Sequence, residues 1–284
     1  MPVYRICDKI KGGIMRLKIS LQSEKEVNIP FNYQYELQSV IYKIISQAEP
    51  EFATFLHDDG FSKDNKAFKF FTFSKLSFRD QEVHTTKKGF ENIKRADFSF
   101  STRIDKIFEN FVLGIFAGKV LNFYFGRNHI EFHVINVEVL KEIEFNDSMK
   151  FICLSPISVS TQIERNGELK KHFFDYMNPD EREHFKLNIY KNLCHKYEVY
   201  FDKTWDKEQK FNFSFDPEYI AKRNGNISKL MKFKNNIMVK GFEAPFTVET
   251  YPELIKIGYE CGFGDNNSAG FGCVEVVHAH CICF

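Results

Sequence analysis

From Met15 onward, Leu17, Ile19 and Leu21 alternate with Arg16, Lys18 and Ser20, the period-two pattern of a strand with one buried face. The period then changes. Pro30 and Asn32 open a helix with Asn32 as its N-cap, and Leu37, Val40, Ile41, Ile44, Ile45 and Ala48 form one apolar stripe at helical spacing. A short second helix starts near Pro50, runs through Phe52, Phe55 and Leu56, and ends at His57 before Asp58-Asp59-Gly60. Two aromatic strands are predicted at about 67–78 and 96–102. Ile104, Ile107, Phe108, Phe111, Val112 and Ile115 define the next helix, ending near Gly118, and Val120 to Leu140 reads as a hairpin turning near 126–128.

The order strand, helix, strand, strand, helix, strand is a split β-α-β unit. It recurs more loosely: a strand at 150–163, then a helix at about 179–200 with Phe185, Ile189, Leu193 and Tyr197 at spacing four. Strands near 209–215 and 236–249 follow, then a short helix from Pro252 to Tyr259, a glycine loop, and a last strand from Cys273 to Val277. The expected fold class is α+β: two tandem ferredoxin-like (RRM-like, βαββαβ) domains at 15–145 and 146–284, with a C-terminal glycine-rich loop and an extension at 1–14. No low-complexity linker separates the halves, so they are expected to pack together.

Composition narrows the class. A chain of 284 residues with 43% hydrophobic and 27% charged side chains can bury two ordinary soluble cores. No run approaches the roughly 18 apolar residues of a membrane span, and the first 30 residues lack a signal-peptide core. A cytoplasmic protein without a membrane partner is expected. Seven cysteines, an odd number with no C-x-x-C pair, read as buried thiols. His278, His280, Cys281 and Cys283 in the tail alternate too tightly for a tetrahedral cage, so no metal and no cofactor are expected.

Net charge is only +1, so distribution matters more than the sum. Between Tyr219 and Lys240 lie Lys222, Arg223, Lys229, Lys232, Lys234 and Lys240 with no acid among them. Ile227, Leu230, Met231, Phe233 and Ile237 interleave as buried positions, giving an ordered basic surface able to track phosphates; a merely solvated face is the plain alternative.

Gly262, Gly264, Gly270 and Gly272 form two G-x-G pairs five residues apart, with Phe263 and Phe271 at matching positions. Successive amides in such a loop can cradle an anion, and Asn266, Asn267 and Ser268 add short polar groups without charge. The spacing fits neither a dinucleotide fingerprint nor a P-loop.

The string Lys256-Ile-Gly-Tyr-Glu-Cys-Gly-Phe-Gly264, followed by Asn267-Ser268 and Gly270-Phe-Gly272, resembles the glycine-rich motif of the CRISPR-associated endoribonucleases that cut repeat RNA in precursor crRNA, members of the RAMP superfamily. Pro30-Phe-Asn-Tyr-Gln-Tyr-Glu-Leu-Gln38, Ile41-Tyr42 and Ala53-Thr-Phe-Leu-His57 resemble that family's first helix pair. Lys69-Phe-Phe-Thr-Phe-Ser74 resembles its next strand, and Leu154-Ser-Pro-Ile157 the start of its second half. The resemblance spans about 15–277 and is loose over 165–235.

That resemblance implies a catalytic tyrosine, histidine and lysine, which fall on Tyr42, His57 and Lys69. The residues themselves allow it. Tyr42 lies well off the apolar stripe of its helix. His57 sits at a helix end, where the dipole favours a cation. Lys69 alternates with Phe68 and Phe70 on the expected strand, which otherwise makes it a solvent-face residue. The resemblance further implies a metal-independent cut by 2′-hydroxyl attack, leaving a 2′,3′-cyclic phosphate and a 5′-hydroxyl. Repeat RNA is the implied partner, held by Lys222, Arg223, Lys229, Lys232, Lys234 and the glycine loop. Homodimerisation and contact with other CRISPR effector-complex subunits stay open. The competing reading is a non-catalytic subunit that holds guide RNA. On either reading the glycine loop grips RNA in the second domain, far along the chain from the cutting residues.

Overall fold

A computed structural model describes residues 15–63, 66–78, 82–165, 167–233 and 237–277. The extension at 1–14, Lys234 and the His/Cys tail lie outside the described residues. In the first half the elements are β1 (Met15–Pro30), α1 (Gln34–Ala48), α2 (Pro50–Asp58), β2 (Phe61–Lys63), β3 (Lys66–Phe68), β4 (Phe71–Phe73), β5 (His84–Thr85), β6 (Gly89–Thr102), α3 (Asp105–Gly118), β7 (Val120–Phe125) and β8 (Asn128–Val139). The second half holds β9 (Ser148–Cys153), β10 (Ser160–Arg165), β11 (Glu168–Phe173), α4 (Pro179–Phe201), β12 (Asn212–Phe215), α5 (Pro217–Lys222), β13 (Ser228–Lys232), β14 (Met238–Phe242), β15 (Phe246–Glu249), α6 (Pro252–Cys261) and β16 (Val274–Val276). A 3₁₀ turn, Asn267–Ala269, precedes β16.

The result is a mixed α/β fold with two main sheets. The first is ordered β4-β6-β1-β8-β7, with β5 beside β6, and the second β12-β15-β9-β16. β1, which opens the first half, lies between β6, the strand before α3, and β8, which follows α3 after β7. β9, which opens the second half, lies between β15 and β16, the strands before and after α6; every pairing is antiparallel. Leu17, Ile19 and Leu21 of β1 are buried under α1 and α3, whose own apolar faces supply Leu37, Ile41, Ile44, Ile107, Phe111 and Ile115. Each such side chain removed from water contributes roughly 1.5–3 kcal/mol, so this layer is the main support of α1.

The other face of β1 departs from the sequence expectation. Alternation marked Arg16 as solvent-facing, yet it is 0% exposed. The second half covers that face. The Arg16 guanidinium lies over the Tyr259 ring at 4.3 Å, donates to the Val274 carbonyl, and approaches the Glu275 carboxylate at 3.5 Å. Arg103 of the same seam, half-buried, pairs with the buried Glu260, so α6 binds the first half through two arginines as well as apolar contacts.

Four local expectations are corrected. Asn32 is not the N-cap of α1; Tyr33 holds that position, and the Asn32 side chain accepts from the Lys232 amide at 3.2 Å. The strand foreseen at 67–78 is broken, because Phe70 has a φ of +53° and β3 and β4 join different sheets. The strand foreseen at 150–163 ends at Cys153 and gives way to a β10–β11 hairpin. The single strand foreseen at 236–249 is two, with β14 paired to β13 and β15 in the second main sheet.

Candidate active site

α1 presents Tyr35, Gln38 and Tyr42 at spacings of three and four, and therefore on one face. Tyr42 is half-buried, off the apolar stripe as its position on the helix requires. Its ring packs edge-on against Phe71 of β4, with centroids 5.6 Å apart, and against His57. Burial pushes the Tyr42 hydroxyl up to about 12, and the neighbouring Ser268 side chain partly opposes that shift. Tyr42 therefore keeps its proton at neutral pH.

α2 ends one residue past His57, whose side chain is 67% exposed. The ring meets Tyr42 at a centroid distance of 5.1 Å and an interplanar angle of 76°. Nδ1 lies 2.7 Å from an Asp58 carboxylate oxygen. A carboxylate only accepts, so the Nδ1 proton is committed to Asp58 and Nε2 is the nitrogen able to exchange a proton. Sequence reasoning passed over Asp58, although its place beside a helix-terminal histidine was the available signal.

Lys69 reaches the same corner from the break between β3 and β4. Its Nζ donates to the His57 main-chain carbonyl at 2.9 Å. Gly60 makes this path possible: a Cβ there would come within 2.8 Å of Lys69 Cδ, and its φ of +72° favours glycine. Burial pulls the Lys69 ammonium below its ordinary range, with Asp59 and Asp58 pulling it back. Lys69 is thus not the solvent-face strand residue that alternation suggested. A shallow cavity of about 350 Å³ opens beside Tyr42 and His57, lined also by Lys43, Ser46, Thr54 and Asp58, with Lys69 outside its lining. Lys43 adds a cation that the sequence did not single out.

The glycine loop comes to this corner from the second half. Its four glycines, read from the sequence as part of a phosphate cradle, are buried, as are Phe263 and Phe271. The amides of Phe263, Asp265, Ala269, Gly270 and Gly272 are donated to protein carbonyls. The requirement for glycine is close approach: a Cβ on Gly270, at a φ of +84°, would meet the Phe73 ring at 2.6 Å. Thr72 of β4 donates to the Phe271 carbonyl at 2.9 Å. The loop is thereby wedged onto β4 and α1, leaving 265–269 half-exposed at the rim with Ser268 on Tyr42. The loop, distant in sequence from Tyr42, His57 and Lys69, thus lies beside Tyr42 in the fold.

Beside the loop a groove of about 580 Å³ runs between α1 and the two hairpins, lined by Tyr35, Gln38, Lys171, Phe173, Phe233 and Asn266 among others. Lys171 Nζ donates to Asn266 Oδ1 at 3.2 Å. Lys222 and Arg223 at the end of α5, and Lys229 and Lys232 on β13, are exposed. The interleaved apolar residues are only partly buried as foreseen. Ile227 and Met231 are covered, but Leu230 and Ile237 remain 64% and 58% exposed, because the β13–β14 ribbon lies outside both main sheets. Among the described residues no three His, Cys, Asp or Glu side chains converge as a metal-binding group, and no helix is long and apolar enough to cross a membrane.

Two family models match the chain, "CRISPR-associated protein Cas6, N-terminal" over residues 28–138 and "CRISPR associated protein Cas6, C-terminal" over residues 140–276. The chain is 35% identical over 261 residues to CRISPR-associated endoribonuclease Cas6 1 of Methanocaldococcus jannaschii, covering 92% of each protein. It is 29% identical over 265 residues to CRISPR-associated endoribonuclease Cas6 of Pyrococcus furiosus, covering 92% of this chain and 90% of that one. A solved structure described as CRISPR associated protein Cas6 superimposes with a TM-score of 0.71 at 33% identity, over 93% of this chain and 99% of the other.

Proposed function

We infer that this chain, which belongs to the Cas6 family of CRISPR-associated endoribonucleases, binds CRISPR repeat RNA and cuts precursor crRNA within the repeat at the Tyr42, His57 and Lys69 cluster. The observation that carries this reading is the meeting of the three groups: an edge-on Tyr42–His57 contact at 5.1 Å and the Lys69 ammonium 2.9 Å from the His57 carbonyl.

RNA itself supplies the nucleophile. The 2′-oxygen attacks the adjacent phosphorus and the bond to the 5′-oxygen breaks, leaving a 2′,3′-cyclic phosphate and a 5′-hydroxyl. One proton leaves the 2′-hydroxyl and one reaches the departing 5′-oxygen. Histidine is suited to carry such a transfer near neutral pH, and Asp58 orients the His57 ring for it through Nδ1. Lys69 offsets the charge that builds on the phosphorane oxygens. Tyr42, protonated throughout the neutral range, donates a hydrogen bond that fixes the reacting group rather than serving as base. No step in this scheme draws on a metal ion.

RNA reaches the cavity along the groove that follows the Tyr35–Gln38–Tyr42 face of α1. Lys171 and the exposed Lys222, Arg223, Lys229 and Lys232 attract its phosphates, and the loop contributes its rim residues Asn266 and Ser268. Two tandem ferredoxin-like units account for this layout, and the shared strand order of the two sheets supports that reading. The scheme needs neither a second copy nor another effector subunit.

The test is incubation of labelled repeat RNA with the protein in excess chelator, beside His57→Ala. Cleavage by the wild-type protein, a loss of about 10²- to 10⁴-fold in His57→Ala, and repeat binding unchanged in the variant are expected. Intact RNA that stays bound to the wild-type protein would instead identify a guide-RNA holder.

A further inference from the structure

Along α4, Phe185, Ile189 and Leu193 are fully buried at spacing four, and the same face continues to Lys196, which is only 1% exposed. Packing at such a position calls for an apolar residue, because an unpaired buried ammonium is strongly disfavoured. Lys196 instead spends its three protons on the glycine loop. Its Nζ donates to the Gly262 carbonyl at 2.7 Å, the Gly264 carbonyl at 3.3 Å, and Asn267 Oδ1 at 2.7 Å. Asn267 in turn donates to the Phe263 and Phe271 carbonyls at 3.2 and 3.1 Å, tying the two G-x-G segments together. The next residue is Ser268, in the 3₁₀ turn that packs against α1, and its side chain neighbours Tyr42.

We propose that Lys196 is a positioning residue for RNA cleavage: by clamping Gly262, Gly264 and Asn267 it holds Ser268 against Tyr42 and so sets where Tyr42 presents its hydroxyl. The inference rests on the reading of Tyr42, His57 and Lys69 given above. Loss of the clamp displaces a group that touches the reacting RNA without removing it. The penalty therefore falls on the rate of the cut, while the exposed basic residues keep binding the repeat.

Charge matters to the clamp. An ammonium has three N–H donors for three acceptors, whereas a neutral amine has two. Burial lowers Lys196 to about 8, against the opposing pull of Cys261 and Asp265, the ionisable groups that face it from α6 and the loop; on the β3 side it faces the Phe68 ring at 5.9 Å. Above that pH one acceptor loses its donor and the clamp loosens, so the wild-type rate falls as pH rises through about 8.

The experiment is single-turnover cleavage of saturating repeat RNA by wild type, Lys196→Met, Ser268→Ala and the double variant, with His57→Ala as reference. Each single variant is expected to lose between about 10- and 100-fold in rate, as misplacement of a catalytic group does. Binding of a 2′-deoxy repeat that cannot be cut should stay within about threefold, well inside the spread of non-additive effects. Because Lys196 acts through Ser268, the double variant should lie within about twofold of the slower single one. Lys196→Met should also abolish the alkaline fall near pH 8. Losses that multiply in the double variant overturn the proposal, as does a wild-type rate in Lys196→Met beside an inactive His57→Ala. Cutting by His57→Ala at the wild-type rate overturns the active-site reading instead. If Lys196→Met fails to fold, Asn267→Ala removes the loop side of the same clamp and carries the same cycle with the same two outcomes.

Discussion

The Tyr42 ring stands edge-on to the His57 ring, with centroids 5.1 Å apart, although the two residues lie on different helices. Tyr42→Phe keeps that ring contact and the packing on Phe71 while deleting the hydroxyl. With burial holding Tyr42 at about 12, the hydroxyl works as a hydrogen-bond donor at neutral pH. The variant should lose roughly 10²-fold in single-turnover rate, as removal of one donor to a charged transition state does. Its acid limb should not move, because Tyr42 does not titrate there. A shifted acid limb would show that Tyr42 does more than donate.

Asp58 and His57 are both largely exposed, at 61% and 67%, and water competes for their contact. Exposed pairs are typically worth about 0.2–1 kcal/mol. Asp58→Ala should therefore slow cleavage by less than about fivefold, a small loss beside that of His57→Ala. A loss as large as that of His57→Ala would mean that Asp58 takes part in proton transfer itself.

Exposed Lys229 and Lys232 face no acid in the ion pairs of the described residues. Removing both should weaken repeat binding whatever the base sequence, and should reduce the salt dependence of binding by about one unit of slope per lysine. Fluorescence titration across a salt series checks this. An unchanged slope would return these lysines to an ordinary solvated surface.

Much of this architecture was legible in the chain. Periodicity located α1, α2, α3, α4 and α6 and the core positions Leu37, Ile41, Phe111 and Ile189, because each helix buries one stripe. Where two halves meet, the same logic failed. Arg16 looks like a solvent-face residue because alternation reports a strand's two faces but not what covers the polar one. Lys69 looked like a strand residue because a run of aromatics gives no sign of the left-handed turn at Phe70. The candidate site was legible as a set of residues and not as an arrangement. Tyr42, His57 and Lys69 were named by motif, whereas the contact of Ser268 with Tyr42 depends on long-range packing. Lys196 carried a signal, a lysine on an apolar stripe, but its partners lie more than 60 residues away.

The seam between the halves makes its own prediction. Glu260 is 3% exposed, and burial pushes its carboxyl up while the Arg103 guanidinium beside it pulls it down. Arg103→Met leaves Glu260 buried without its main partner and should cost about 3–5 kcal/mol of stability, read by denaturant unfolding. Pairing it with Glu260→Leu should recover most of that loss, since a packed apolar pair can replace a buried ion pair. A small loss in the single variant would mean that the seam contributes little to folding.

The most direct measurement replaces the 2′-hydroxyl at the scissile nucleotide by hydrogen and follows cleavage of that repeat RNA in the presence of a chelator. With the nucleophile removed, the substituted RNA should bind normally and remain whole. The unmodified RNA should yield fragments ending in a 2′,3′-cyclic phosphate and a 5′-hydroxyl. Cutting of the deoxy substrate at the same position, or fragments bearing a 5′-phosphate, would contradict the account.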